Sequence, residues 1–292
     1  MLTIVEVESD KELLVHLGPT REAIVSWNAR EPAGAIELRV NARDGRTSAW
    51  LPYVAYDSAK RRSLGGHDSF VRIATDVIKS DVDIVTLGVR SHAELDALLV
   101  STPDYGAPSP IVALPAVALD VPPFSQYAAD RPTERTWCAP ASLAMLLAYR
   151  GHTLTVAEAA QEVYDDAYRG TGNWVFNVAF AGRLGLRATV LHLRDIEHAH
   201  AFLADDIPLA ASLSWTEGTL PGAPLPSSAG HLVVLRGIDA RGDALVNDPA
   251  HPAVAVTYPR AAFERAWFGH GGIAFTAVPV PLTQTLLRLA NP

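Results

Sequence analysis

Trp137-Cys138-Ala139-Pro140-Ala141-Ser142 opens the apolar run Leu143-Ala-Met-Leu-Leu-Ala-Tyr149, and this stretch decides how the chain is read. The run predicts a buried helix, with Gly151 just past its end as a helix terminator. Cys138, the only cysteine among 292 residues, stands at the helix start. A thiol there faces unpaired backbone N–H groups and the positive end of the helix dipole. Both favour the thiolate, the form that attacks carbonyl carbon. Read alone, a single cysteine is more often a small buried apolar side chain. The rest of the chain has to choose between the two.

A cysteine nucleophile needs a base in reach, and the base needs an acceptor on its other nitrogen. Downstream, the loop Glu217–Gly230 delivers His231-Leu-Val-Val-Leu-Arg-Gly-Ile238, a strand with His231 at its first position. Residues 239–243 turn the chain, and Ala244-Leu-Val-Asn-Asp248-Pro249 returns. In such a hairpin His231 and Asp248 lie towards the same open end. With Arg241-Gly242 as a two-residue turn, Asp248 faces Leu235, on the face that His231 shares by parity. The pair is then four positions apart, roughly 13 Å at a strand's rise. Only another register or a bulge closes that distance.

Around these residues the chain from about 119 reads as helices followed by an antiparallel sheet, an α+β arrangement. Val156–Val163 is a second helix, with Thr155 and Glu158 at capping-box spacing. Helices at 175–184 and 195–204 and strands at 187–193 and 207–213 follow. His198-Ala-His200 has the look of a metal pair, but i and i+2 point to different faces of a helix, and it reads as solvated surface. His251 is an alternative base, placed past the strand end. No Gly-x-Ser-x-Gly elbow occurs, and Gly269-His-Gly-Gly272 lacks the Lys-Ser/Thr of a phosphate loop.

Upstream, residues 1–105 alternate in short runs, as in Ile36, Leu38 and Val40 against Glu37, Arg39 and Asn41. About seven strands are expected, among them separate ones at 12–17 and 22–27, and they suggest an antiparallel β-sandwich. Residues 93–99 read equally as a short helix. Trp27, Trp50, Tyr53 and Tyr56 are candidates for a ligand face, though large aromatics more often pack a core. The ligand of this part is not legible. Residues 106–118 are rich in proline and form the expected linker, with 119–292 as the second domain.

Composition bounds the functions. Apolar residues make up 49% of the chain and charged ones 19%, the balance of a globular protein. A formal charge of −8, evenly shared along the chain, and no basic cluster exclude a nucleic-acid surface. One cysteine excludes a disulfide framework and thiolate zinc clusters, and no metal or cofactor is expected. No window reaches the roughly 20 apolar residues of a membrane span. The N-terminus lacks the features of a signal peptide, so the chain as written is expected in the cytoplasm. Removal of a leader would make it secreted or surface-bound.

Gln126, Trp137-Cys138-Ala-Pro-Ala-Ser142, Gly230-His231-Leu-Val-Val-Leu-Arg-Gly237 and Val246-Asn-Asp248-Pro249 together resemble the motifs of the C39-like cysteine peptidases, a branch of the papain-like fold. Gly172-Asn-Trp174 and Phe263-Glu-Arg-Ala-Trp267 extend the similarity over about residues 119–280. The resemblance implies a multi-domain chain in which an N-terminal all-β sandwich precedes an α+β papain-like peptidase domain. It implies Cys138 as nucleophile, His231 as general base and then acid, Asp248 as its orienter, and Gln126 as side-chain donor to the oxyanion hole. A peptide or protein is the implied substrate, cut through an acyl-enzyme thioester, with Trp174 and Trp137 as candidates to line the groove. Two features depart from the family pattern: Ala139 replaces a glycine, and the Gln126-to-Cys138 spacing is long. An inactive papain-like scaffold, or an acyltransferase or deamidase, is the alternative.

Overall fold

The structure is a computed structural model and describes residues 1–5, 12–31, 34–57, 60–92, 94–104, 106, 113–127 and 136–292. Residues 107–112 of the expected linker lie outside the described residues, as does 128–135 between Gln126 and Cys138. The fold is mixed α/β with two antiparallel sheets, and the chain divides into two compact units. Residues 1–103 and 163–190 make the first, residues 104–162 and 191–292 the second.

The first unit is built on nine strands: β1 (Leu2–Val5), β2 (Leu13–Asn28), β3 (Gly34–Ala42), β4 (Leu51–Tyr56), β5 (Arg61–Ser63), β6 (Gly66–His67), β7 (Val71–Ala74), β8 (Val77–Ser91) and β9 (Ala97–Ser101). They pair in the order β1-β9-β2-β8-β3-β4-β5, with β7 joining β8 to β6. The two runs expected as separate strands are one, β2, which continues through Gly18-Pro19. Proline has no N–H for the ladder, and the β2–β8 register shifts between His16 and Thr20, where Pro19 falls. Residues 97–101 are strand rather than helix, and all five are buried.

Helix α3 (Trp174–Arg183) belongs to this unit and packs on β2. Phe176 sits edge-on to Trp27 with ring centroids 6.2 Å apart, and Trp27 edge-on to Tyr56 at 5.7 Å. Such edge-to-face pairs add about 0.5–1.5 kcal/mol each beyond the area they bury. Trp27, Tyr53 and Tyr56 are therefore core residues, at most 1% exposed. Trp50 instead carries Arg39 and Arg90 on its ring. The Asn28 side chain completes the packing by bonding both ways to the Ala188 peptide, at 3.0 and 3.2 Å.

The second unit places α1 (Cys138–Tyr149) against a sheet. Residues 139–147 of α1 are all buried, which follows from its being apolar on every side. Next comes α2 (Val156–Val163), whose capping box forms as expected: Thr155 N–H donates to Glu158 at 2.7 Å, and Glu158 N–H to Thr155 Oγ1 at 3.1 Å. After β11 (Leu186–His192) come α4 (Ile196–Ala204), β12 (Leu209–Trp215), β13 (Ser228–Ile238), β14 (Ala244–Asn247), β15 (Ala255–Tyr258), α5 (Arg260–Phe268), β16 (Ile273–Pro279) and α6 (Thr283–Ala290). The strand order runs β16-β12-β13-β14-β15, with the short β10 (Val117–Ala118) beside β13. Gly237 makes that last pairing possible, because a Cβ there would sit 2.3 Å from Val117 O. Among the described residues no helix is long and apolar enough to cross a membrane.

Candidate active site

Helix α1 starts at Cys138 itself, and no side chain caps its N-terminus. Pro140 is compatible with this first turn, where an N–H has no intrahelical partner in any case. Cys138 is half-buried and a free thiol.

The hairpin β13–β14 closes the distance that the simplest register leaves open. Val234 pairs with Asn247 and Leu235 with Val246, whereas Gly237 pairs with Leu245 and Ile238 with Ala244. The turn is longer than two residues, which moves β14 by one position. A bulge at Arg236 moves it by another. Continued one residue past β14, this register sets Asp248 opposite Val233, two positions from His231 instead of four. His231 is also not the first residue of its strand but the fourth, paired with Leu213 of β12.

Side chains span what is left. His231 Nε2 lies 2.7 Å from Asp248 Oδ1, with the two residues 4% and 1% exposed. Because Nε2 is taken by the carboxylate, Nδ1 is the nitrogen left for the Cys138 thiol, whose proton affinity His231 lowers. Asp248 begins the turn into β15, and its own carboxylate accepts the Ala250 N–H at 2.9 Å on Oδ1 and the Tyr258 hydroxyl at 2.6 Å on Oδ2. Trp215 stands edge-on to the His231 ring, centroids 5.7 Å apart.

The electrostatics follow from this geometry. Burial pushes the Cys138 thiol up, but the hydrogen bond and charge of His231, with the Leu232 and Ala139 N–H groups, bring it below its ordinary value. Burial pushes His231 down, and the hydrogen bonds to Asp248 and Cys138 overcome this and lift it to about 10. Burial likewise raises Asp248, and the bonds from His231 and Tyr258 hold it below the usual carboxylate range. Three groups thus favour thiolate, imidazolium and carboxylate together.

Gln126 is 2% exposed, and its backbone N–H donates to Pro249 O at 2.9 Å, which ties it to the residue after Asp248. Its Oε1 is buried with no hydrogen-bond partner among the described residues. A half-turn about the last side-chain bond exchanges carbonyl and NH2, so the same buried position accepts either end of the amide.

Trp137 immediately precedes α1 and is only 9% exposed. Trp174 opens α3 in the first unit, half-buried, with its N–H donated to Asp76 Oδ2 at 2.9 Å. His198 is not solvated surface but buried, its Nε2 2.8 Å from Leu289 O. His251 Nδ1 accepts the Ala253 N–H at 3.1 Å inside the turn, a local role. Sequence reasoning missed Tyr258 and Trp215. Neither carries a motif, and only the β14–β15 and β12–β13 pairings bring them to Asp248 and His231.

Residues 118–275, more than half of the chain, match the Peptidase C39-like family. The chain belongs to that family. No curated protein matches this C39-like chain in sequence. Among solved structures it is similar to a protein assigned as a C39-like peptidase from Bacillus anthracis, with 23% identity over 56% of this chain and 98% of that one, at a TM-score of 0.44. It is similar also to a double-glycine-motif protease from an AMS/PCAT transporter in complex with a leader peptide, with 21% identity over 59% and 100% of the two chains and a TM-score of 0.41. A third is the peptidase domain of Streptococcus ComA, at 17% identity, 55% and 98% coverage and a TM-score of 0.40.

Proposed function

We propose that the chain is a cysteine peptidase in which Cys138, His231 and Asp248 act as a triad on a peptide or protein substrate. The observation that carries the reading is the buried His231–Asp248 bond, together with the effect that His231 and the Cys138 thiol have on each other's proton affinity. Cys138 Sγ attacks the scissile carbonyl carbon, and the carbonyl oxygen takes the electron pair. The Cys138 N–H and the Gln126 amide donate to this oxyanion, and the unpaired buried amide end of Gln126 supports that role. His231 then gives its proton to the leaving nitrogen, the C–N bond breaks and an acyl-enzyme thioester is left. His231 next takes a proton from water, whose oxygen attacks the thioester; the acid product leaves and Cys138 is restored.

Along the chain, residues 1–105 are read as a β-sandwich module, 106–118 as the connection and 119–292 as the peptidase part. The start of the family match at residue 118 supports the last boundary. The complete burial of β9 and the two long strands β2 and β8, whose registers shift along their length, support a sheet folded over on itself.

Mass spectrometry of a peptide library after incubation with the wild type and with Cys138→Ala tests the reading. Cleavage by the wild type alone, with an acyl adduct trapped on Cys138, is expected. Alkylation of Cys138 by iodoacetamide no faster than free cysteine at neutral pH would sink it.

A further inference from the structure

Asp248 is held by three donors that approach from different elements. The Ala250 N–H belongs to the turn that Asp248 starts, His231 to β13, and the Tyr258 hydroxyl to the far end of β15. The first two share Oδ1, and Tyr258 at 2.6 Å is the donor on Oδ2. Tyr258 is 1% exposed, and burial together with the Asp248 charge raises its phenol far above the ordinary value, so the hydroxyl keeps its proton and stays a donor. We propose that Tyr258 is a positioning residue for the reaction, its hydroxyl fixing the Asp248 carboxylate in the one orientation that holds His231 towards Cys138. The proposal rests on the triad reading above and extends it to a fourth member, in the order Tyr258, Asp248, His231, Cys138.

The physical reason lies in the freedom of a carboxylate about its last side-chain bond. With Oδ2 unpartnered in a buried setting, Asp248 would turn to share its donors between both oxygens or take up a proton. Either change draws Oδ1 out of line with His231 Nε2. Tyr258 removes that freedom because its strand is tied to β14, Tyr258 pairing with Ala244 at one end and Ala255 with Asn247 at the other. The hairpin therefore sets the donor and the acid in one frame. A ring that only packs, its hydroxyl merely finding an acceptor, would leave the Cys138 thiolate unmoved, and the thiolate is therefore the readout.

The rate of Cys138 alkylation by iodoacetamide, followed against pH, reads the thiolate directly and needs no substrate. In Tyr258→Phe the midpoint is expected to rise by about one pH unit, so that alkylation below both midpoints slows about tenfold. Asp248→Asn should move it further in the same direction. A thermal melt checks that Tyr258→Phe folds. If it does not, 4-aminophenylalanine at position 258, a weaker donor of the same shape, should give a smaller rise. An unchanged midpoint leaves Tyr258 a packed ring, and a fall means that it only disperses the charge of Asp248; either overturns the proposal. A wild-type midpoint at the ordinary thiol value instead overturns the peptidase reading itself, which keeps the two failures apart.

Discussion

His231 Nε2 and Asp248 Oδ1 are 2.7 Å apart because the β13–β14 hairpin spends one residue on a bulge at Arg236 and one on a longer turn. The bond is buried, and its strength comes from the charge on both partners.

Asp248→Asn keeps the shape of the side chain and removes its charge. The hydrogen bond to a charged partner is worth about 1.5–3 kcal/mol, so a fall in kcat/KM of about 10- to 100-fold is expected. The bond to Asp248 is the largest of the forces lifting His231 against burial, so the alkaline limb of the pH–rate profile should also move down from about 10. A variant that loses rate with its alkaline limb unmoved would contradict the assignment of Asp248 as orienter.

How much of this was legible in the sequence varies by element. The capping box at Thr155 and Glu158 and the buried α1 need only local pattern, and they form as the pattern says. The order Cys138, His231, Asp248 was legible as well, since it lies in motifs. The register was not, because alternation fixes which face a residue takes but not where a bulge falls. Pro19 reads as a strand break, yet a bulge lets β2 pass through it. Tyr258 and Trp215 could not be found because only strand pairing brings them to the site. The packing of α3 on β2 likewise rests on partners distant in sequence, Trp27 and Phe176.

Gln126→Ala tests the oxyanion role. Loss of one such donor costs about 2.7–4 kcal/mol, so kcat should fall about 100- to 1,000-fold with KM little changed. The thiolate midpoint read by alkylation should stay where it is, because the hydrogen bonds that set it come from His231, Leu232 and Ala139. A shift of that midpoint would mean that Gln126 supports Cys138 rather than the oxyanion.

Gly182→Ala tests the packing of α3. In an exposed helix interior the change would stabilise by about 1 kcal/mol. Here a Cβ at position 182 would lie 2.8 Å from both Cα and Cβ of Asn28, closer than atoms tolerate. Overpacking of this kind costs about 1–3 kcal/mol, which outweighs the propensity gain. A lower unfolding midpoint in denaturant is expected, and a stabilised variant would show that α3 does not press on β2 at this residue.

The pH window of the thiolate–imidazolium pair is the most direct check on the site. Cys138 is depressed below its ordinary 9.0, and His231 is raised to about 10. As pH rises, the thiol therefore loses its proton before the imidazolium does, the reverse of the order for the free groups. The active pair exists between the two, giving a bell-shaped kcat/KM with its acid limb below 9.0 and its alkaline limb near 10. Part of the lift on His231 comes from Cys138 itself. In Cys138→Ala the His231 titration, followed by NMR of the ring protons, should move down from its wild-type position while remaining above 6.5, since the Asp248 bond is kept. A His231 that titrates at the same pH with and without the thiol would show that the two side chains do not share a proton, and the triad would lose its first member.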